Sequence, residues 1–261
     1  MTFPLHKTFG VLHEKNADSK YTIIYIHGNS VDSEIWQNQL NSSLFSEYRM
    51  LAIDLPGHGK STKCDGYSVP NVVKILAATI QEYSNVVLVG HSLGGHFAIE
   101  TLPFLNNCKG IFVFGTAPVK KPVNMHEAFL ADERMPLLFQ KNLNPNETED
   151  FTRFICKKSD LVPYNFKERI HNTDAKFRED IGLSLANGEL ANEVEILAKT
   201  EMPVAILHGK NDSLVNLEYL KQLSIPNLWR NKINIIESSH SPHLEKPEEF
   251  NRLLLKFLEN L

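Results

Sequence analysis

The stretch Asn85-Val86-Val87-Leu88-Val89-Gly90-His91-Ser92-Leu93-Gly94 decides the fold. Its first half is a short run of β-branched and aliphatic residues, the pattern of a strand buried on both faces of a sheet. Its second half, Gly90 to Gly94, fits G-x-S-x-G, the strand-to-helix turn that lifts a serine hydroxyl above the end of a sheet. Small residues are needed there because the turn is strained and neighbouring backbone comes too close for side chains. The pattern alone is weak, since roughly one chain in ten of this length would carry it by chance. The surrounding sequence has to supply the strand, the helix and the chemical partners of Ser92.

Working outward, further short apolar runs at 21–26, 49–54, 110–114, 204–207 and 232–236 end in polar or glycine-containing turns. Helix-length segments at 69–83, 93–105, 217–223 and 247–261 lie between most of them. Alternating strand and helix predicts an α/β architecture with a mostly parallel central sheet flanked by helices. The segment 7–14 adds a candidate antiparallel edge strand. The alternation breaks once, between Pro118 and about Glu201, where amphipathic stretches at 125–140, 147–158, 165–171 and 176–185 are punctuated by Pro118, Pro122, Pro136, Pro145 and Pro163. We read residues 118–201 as an inserted helical lid and residues 1–117 and 202–261 as the core domain. A lid over the carboxyl ends of parallel strands closes a pocket where α/β proteins bind ligands; the alternative is a lid that merely covers apolar surface.

Composition narrows the function classes. The 261 residues carry a net charge of −4, which offers no general attraction to a polyanion, so nucleic acid is not an expected partner. No segment has the apolar length of a membrane span or a signal peptide, which predicts a cytoplasmic protein. The 3 cysteines, Cys64, Cys108 and Cys156, are far apart and odd in number, as reduced thiols are.

A serine hydroxyl is a poor nucleophile unless a base takes its proton and a third group orients that base. On this fold the order is serine, then an acid, then histidine. Asp212, in His208-Gly-Lys-Asn-Asp212, follows the strand ending at Leu207, and His240, in Ser238-Ser-His-Ser-Pro-His243, follows the strand ending at Ile236. Both therefore fall on the same sheet edge as Ser92. Each has a competitor: Asp212 could cap the helix starting near Asn216, with Asn211 replacing it, and His243 could serve as base, although it is better placed as pocket wall or cap. His240, His243 and Glu245 could also suggest a metal site, but no third clustered His or Cys supports one, and the predicted chemistry needs neither metal nor cofactor. His96, one turn after Ser92, reads as a packed or hydrogen-bonded structural histidine.

Acyl transfer also needs donors aimed at the developing oxyanion. The backbone N–H of Leu93, at a helix N-terminus, is one candidate. The N–H of Asn29, in the loop His27-Gly-Asn-Ser30, is the other, and its side chain could additionally touch a substrate oxygen. Gly57-His-Gly-Lys-Ser61 imitates the end of a phosphate-binding loop, but Asp54 stands where that motif requires glycine, so Asp54 to Gly59 reads as a structural turn.

Taken together, His27-Gly-Asn29, Asp54-Leu-Pro-Gly-His-Gly-Lys-Ser61, Gly90-His-Ser-Leu-Gly-Gly95, His208-Gly-Lys-Asn-Asp212 and His240-Ser-Pro-His-Leu-Glu-Lys-Pro247 resemble the α/β-hydrolase superfamily over nearly the whole chain. With Gly115-Thr-Ala-Pro-Val119 and Pro226-Asn-Leu-Trp229 added, the chain is similar to the metal-independent, serine-dependent bacterial N-acyl homoserine lactonases, which open quorum-sensing signals. That resemblance implies a catalytic triad of Ser92, Asp212 and His240, with Asn29 in the oxyanion loop. It places Phe151 where an aromatic hydroxyl assists the substrate; phenylalanine cannot donate a hydrogen bond, and Tyr164 is the nearby residue that could. Ser239 stands where the superfamily usually has glycine. The expected activity is cofactor-free hydrolysis of a small-molecule ester or lactone, with Phe129, Leu130, Met135, Leu137, Leu138, Phe139, Phe151 and Phe154 available either to hold an acyl chain or to form plain lid core. The alternatives are a general carboxylesterase and a ligand receptor that uses the same fold with slow hydrolysis.

Overall fold

The structure, a computed structural model, describes residues 11–15, 19–157, 161 and 165–261. Seven strands form one sheet in the order β1-β3-β2-β4-β5-β6-β7. They are β1 (Val11–Lys15), β2 (Thr22–Ile26), β3 (Arg49–Ile53), β4 (Val86–His91), β5 (Cys108–Phe114), β6 (Val204–Gly209) and β7 (Asn234–Ile236). Strands β2 to β7 run parallel. The edge strand β1 is antiparallel to β3, as the sequence predicts, although the first part of the expected segment, residues 7–10, lies outside the described residues.

The strand interiors read as continuous apolar runs because both faces are covered. Side chains alternate between faces. Ile24, Ile26, Leu51, Ile53, Leu88, Val113 and Ile206 pack on one side with α2 (Val69–Ile80) and α3 (Leu93–Thr101). Ile23, Tyr25, Met50, Val87, Val89, Phe112, Phe114 and Leu207 pack on the other, against Trp36 beside the short α1 (Gln37–Leu40) and against α11 (Pro247–Leu258). The chain leaves β2 for β3 on one side and later places β4 on the other, so the carboxyl ends of β2 and β4 face a topological switch point.

The interrupted segment is helical. It carries α4 (Met125–Ala128), α5 (Pro145–Ile155), α6 (Phe166–Asn172), α7 (Ala175–Ala186) and α8 (Glu193–Lys199); α9 (Leu217–Gln222) and α10 (Pro242–Glu245) follow β6 and β7. The single amphipathic stretch expected at 125–140 is instead broken after Ala128. Phe129 bridges Val215 and the Leu130 N–H donates to the Leu214 carbonyl at 2.8 Å, which takes the chain out of the helix; a turn closed by the Met135 N–H on the Asp132 carbonyl at 3.1 Å then leads into a short 3-10 helix over Met135–Leu138. α8 has no counterpart among the expected helices. It packs on α3. α5 starts cleanly because Asn144 and Glu147 form a reciprocal capping box behind Pro145.

Several polar ties fasten the lid to the core. The buried guanidinium of Arg178 in α7 donates to the Ser30 hydroxyl at 2.9 Å and to the carbonyls of Gln140 and Lys141 at 2.7 Å each. The Tyr67 hydroxyl donates to Asp174 at 2.8 Å, and the Val69 N–H donates to Ser184 at 2.9 Å. At the C-terminal end of α5, Ser241 donates to the Ile155 carbonyl at 2.8 Å and Lys157 Nζ donates to the Asn211 carbonyl at 2.8 Å. No described helix is long and apolar enough to cross a membrane.

Candidate active site

Ser92 sits between β4 and α3 with φ 53° and ψ −124°, outside the regions that a side chain ordinarily allows. Such a conformation costs about 1–3 kcal/mol and persists only where its surroundings enforce it. Here the Ser92 N–H donates to the Phe114 carbonyl at 2.9 Å, and the Ser92 carbonyl accepts the Thr116 hydroxyl at 2.9 Å and the Gly95 N–H at 2.9 Å. Glycine is required at the flanks by close approach. A Cβ on Gly90 would lie 2.6 Å from Gly95 Cα, and one on Gly94 would lie 2.2 Å from the His27 carbonyl oxygen.

Asp212 and His240 come together as their strand ends predict. His240 Nδ1 lies 2.9 Å from Asp212 Oδ2, with both side chains buried. The other carboxylate oxygen accepts the N–H groups of Leu214 at 2.8 Å and Val215 at 3.2 Å. Burial opposes ionisation of Asp212, but His240 beside it and the hydrogen bonds it accepts outweigh burial and hold its pKa below the ordinary 3.8. Asp212 caps no helix: the Glu218 N–H at the start of α9 is taken by Asn216 at 3.0 Å. With Nδ1 committed to the carboxylate, Nε2 is the His240 nitrogen left to accept a proton. His240 and Ser92 line the same small cavity, of about 10 Å³, together with Gly28, Asn29, His91 and Leu138.

The loop after β2 brings Asn29 to this cavity. Its side chain is engaged at both ends: the amide donates to the Leu138 carbonyl of the lid at 2.7 Å, and its oxygen accepts the Ser30 hydroxyl at 2.8 Å. The side chain thus holds the lid, which leaves the backbone N–H as the group of Asn29 suited to a substrate oxygen. Leu93 is the first residue of α3, where N–H groups have no intrahelical partner. Ser30 has φ 58° and is fixed by its N–H to His58 Nε2 at 3.2 Å.

Two other residues singled out in the sequence, His243 and Phe151, are placed differently. His243 is fully buried beneath the site, its ring 4.8 Å from that of Trp36 and 4.7 Å from that of His91, and it lines neither part of the cavity, so it is not the pocket wall expected. Burial lowers its pKa to about 3, which keeps it neutral. Phe151 is likewise fully buried, in a cluster with Leu143, Ile155 and Phe166, and does not reach the cavity. It faces inward because α5 buries one side of its amphipathic surface, while Phe154, one helical turn apart, lines the cavity instead. Tyr164 lies outside the described residues. Glu245 is bound by Ser239, whose N–H donates to it at 2.9 Å and whose hydroxyl also donates to it, and no described group of three His, Cys, Asp or Glu is arranged to hold a metal ion. The turn after β3 is structural: Asp54 accepts the Ser33 and Lys60 N–H groups at 2.8 Å each.

Beyond the small cavity an apolar one of about 70 Å³ opens beside Ser92, walled by Met125, Phe129, Met135, Leu138 and Phe139 of the lid and by His96 of α3. Four of the apolar residues singled out in sequence, Phe129, Met135, Leu138 and Phe139, line it; Leu130 is instead exposed, and Leu137 packs into the core. Leu185, Leu190 and Leu214 complete the wall, a contribution that helical periodicity at 176–185 hinted at only for Leu185. A larger surface groove of about 760 Å³ past Leu102, Asn106 and Lys199 holds none of these groups.

A serine raised on a strained turn at the switch point of a parallel sheet, with a His–Asp pair on the neighbouring rim, is the arrangement of a serine hydrolase. The chain belongs to the alpha/beta hydrolase family, whose model matches residues 23–253. Among solved structures, a mutant of N-acyl homoserine lactonase AidH complexed with N-hexanoyl homoserine lactone superposes with a TM-score of 0.89 at 26% identity, over 97% of this chain and 94% of that one. The same lactonase bound to N-butanoyl homoserine matches at TM-score 0.89 and 27% identity, over 97% of this chain and 93% of the other. In sequence, the bifunctional esterase/perhydrolase DCH of Acinetobacter calcoaceticus is 27% identical over 91% of both chains, and the AB hydrolase superfamily protein YisY of Bacillus subtilis (strain 168) is 25% identical over 90% of both.

Proposed function

We propose that this enzyme hydrolyses carboxylic esters through Ser92, His240 and Asp212, and that its substrate is an N-acyl homoserine lactone, which would make it a quorum-quenching lactonase. The observation that carries the reading is the apolar cavity directly beside Ser92, lined by aliphatic and aromatic lid side chains, in a fold that superposes on a lactonase holding a hexanoyl ligand. Ser92 Oγ attacks the lactone carbonyl while His240 Nε2 takes its proton. The N–H groups of Leu93 and Asn29 receive the oxyanion, and the ring C–O bond breaks as His240 returns the proton to the departing alkoxide. Asp212 stabilises the imidazolium meanwhile. The new alcohol stays tethered to the acyl enzyme, so water must reach the ester before the ring closes again. The product is an N-acyl homoserine.

The test is a panel of N-acyl homoserine lactones and p-nitrophenyl esters, run with a chelator present. Hydrolysis should persist with the chelator and fall by more than about 10³ in Ser92→Ala. Retained activity in that variant sinks the mechanism, and hydrolysis of esters without lactones leaves a general carboxylesterase. One observation favours a second reading, a ligand receptor: the space beside Ser92 and His240 is nearly closed, at about 10 Å³. A burst of product that stalls near one turnover per chain would establish that alternative.

A further inference from the structure

His96 lines the apolar cavity one helical turn beyond Ser92, and its surroundings are unusual for a wall residue. Its Nδ1 lies 2.9 Å from both oxygens of the fully buried Glu193 carboxylate, which also accepts the Val119 N–H at 2.8 Å. A nitrogen facing a carboxylate carries a proton, so this contact fixes which nitrogen remains: Nε2. That nitrogen makes no hydrogen bond with any described residue, and unlike the nitrogens of His243 it is not sealed from the surrounding space. Apart from His96, the polar side chains on this wall are Asn29 and Ser92, both at the reaction centre, and the remainder of the wall is apolar. Burial lowers the proton affinity of the His96 ring, but Glu193 and, behind it, Glu100 outweigh burial and raise its pKa above 6.5. A protonated Nε2 is a hydrogen-bond donor on a stretch of wall that, away from the reaction centre, is otherwise apolar.

We propose that His96 is a specificity residue of the acyl cavity, its Nε2–H donating to an oxygen substituent on the substrate chain, so that the enzyme selects 3-oxo-acyl over unsubstituted acyl homoserine lactones. The inference rests on the function proposed above. Distance supports the position of the oxygen. One helical turn from Ser92 to His96 rises about 6 Å. In an N-acyl homoserine lactone, five bonds separate the attacked lactone carbonyl carbon from the third acyl carbon, an extended span of about 6 Å at roughly 1.25 Å of advance per bond. The amide carbonyl, three bonds away, falls short of His96. A hydrogen bond to a charged donor in a dry site is worth about tenfold or more in selectivity.

The experiment compares kcat/KM for N-hexanoyl and N-(3-oxohexanoyl) homoserine lactone in the wild-type protein, in His96→Phe and in His96→Gln. A ratio within one preparation is independent of how much of that preparation is folded. The wild type should prefer the 3-oxo substrate by about tenfold or more, His96→Phe should bring the ratio near one, and His96→Gln, which keeps an N–H donor, should recover part of it. A histidine that only neutralises Glu193 would slow both substrates alike and leave the ratio unmoved; that result, or a wild-type ratio near one, overturns the proposal. Methyl heptanoate and methyl 6-oxoheptanoate, which set the oxygen at the same five-bond span, form a second arm. If lactones are not cleaved but this pair shows the same His96-dependent preference, the lactone substrate falls and the role of His96 stands. If lactones are cleaved with no preference, the reverse holds.

Discussion

Single residues at this site do their work through the number of hydrogen bonds each atom can make. Asp212 uses one oxygen for two backbone N–H groups and the other for His240. In Asp212→Asn the amide oxygen must keep the backbone donors, which turns an N–H toward His240 Nδ1. The imidazole then has to place its own proton on Nε2, where it can no longer accept one from Ser92. The expected result is a fall in kcat of about 10²–10⁴ with an unchanged melting temperature, and a loss below tenfold would show that the base is oriented by something else. Glu100 supplies a test by pH. Burial, then the neighbouring Glu193, pushes its pKa from 4.5 up to about 7, against the opposing pull of His96, Lys121 and the Ala191 N–H. Between those two values the folded protein holds a proton that the unfolded chain has released, so stability falls as pH rises through this window and is level above it. Glu100→Gln should therefore raise stability by on the order of 1–3 kcal/mol at about pH 8 and change it little at about pH 4.5, measured by urea unfolding at both. Equal effects at the two values would show that Glu100 is ionised throughout. Much at this scale was legible in the sequence. Strand ends are easy to read and put the loops of Ser92, Asp212 and His240 on one edge, where the structure brings His240 within 2.9 Å of Asp212 and into one cavity with Ser92. His243 and Phe151 were misplaced because sequence gives a residue's position on an element but not the direction of that element's buried face. The partnership of His96 with Glu193, 97 positions apart, has no local signal at all.

Among the elements, β4 and α3 are the pair on which the site is built, and their closeness is set by small residues. A Cβ on Gly95 would lie 2.0 Å from the Thr116 hydroxyl oxygen, the group that holds the Ser92 carbonyl. Gly95→Ala must push the helix away or turn Thr116 aside. It should lower the melting temperature by about 2–8 °C and reduce ester hydrolysis with it, as overpacking of about 1–3 kcal/mol would do. Gly66→Ala is the control, because a Cβ there meets nothing nearer than 3.8 Å. Scanning calorimetry of the two variants decides the matter, and equal melting temperatures would mean that the contact is relaxed at no cost. The six parallel strands were readable as apolar runs because burial on both faces leaves a continuous signal. The lid was harder. Residues 125–140 have helical periodicity, yet Phe129 and Leu130 pair with Leu214 and Val215, a contact across the sequence that overrides local preference. α8 escaped notice because it is only 7 residues long, too short for periodicity to stand out.

At the scale of the whole molecule, the cover over the strand ends lies close against them. The about 70 Å³ beside Ser92 is far below the several hundred of a ligand-filled pocket, so a substrate of the proposed size fits only if the lid moves. Where it moves is constrained by where it is tied. The end of α5 is hydrogen-bonded to the loops that carry His240 and Asp212, through Ser241 with Ile155 and through Lys157 with Asn211. The opposite stretch, from Met125 to Phe139, meets the core through the pairing at Leu214 and Val215 and through Leu138 on Asn29. The consequence concerns how such a protein diversifies. Substitutions, insertions and deletions around Met125, Met135 and Phe139 reshape the cavity wall while the loops that hold Asp212 and His240 together keep their footing, so descendants of this chain are free to change what they admit without rebuilding that pair.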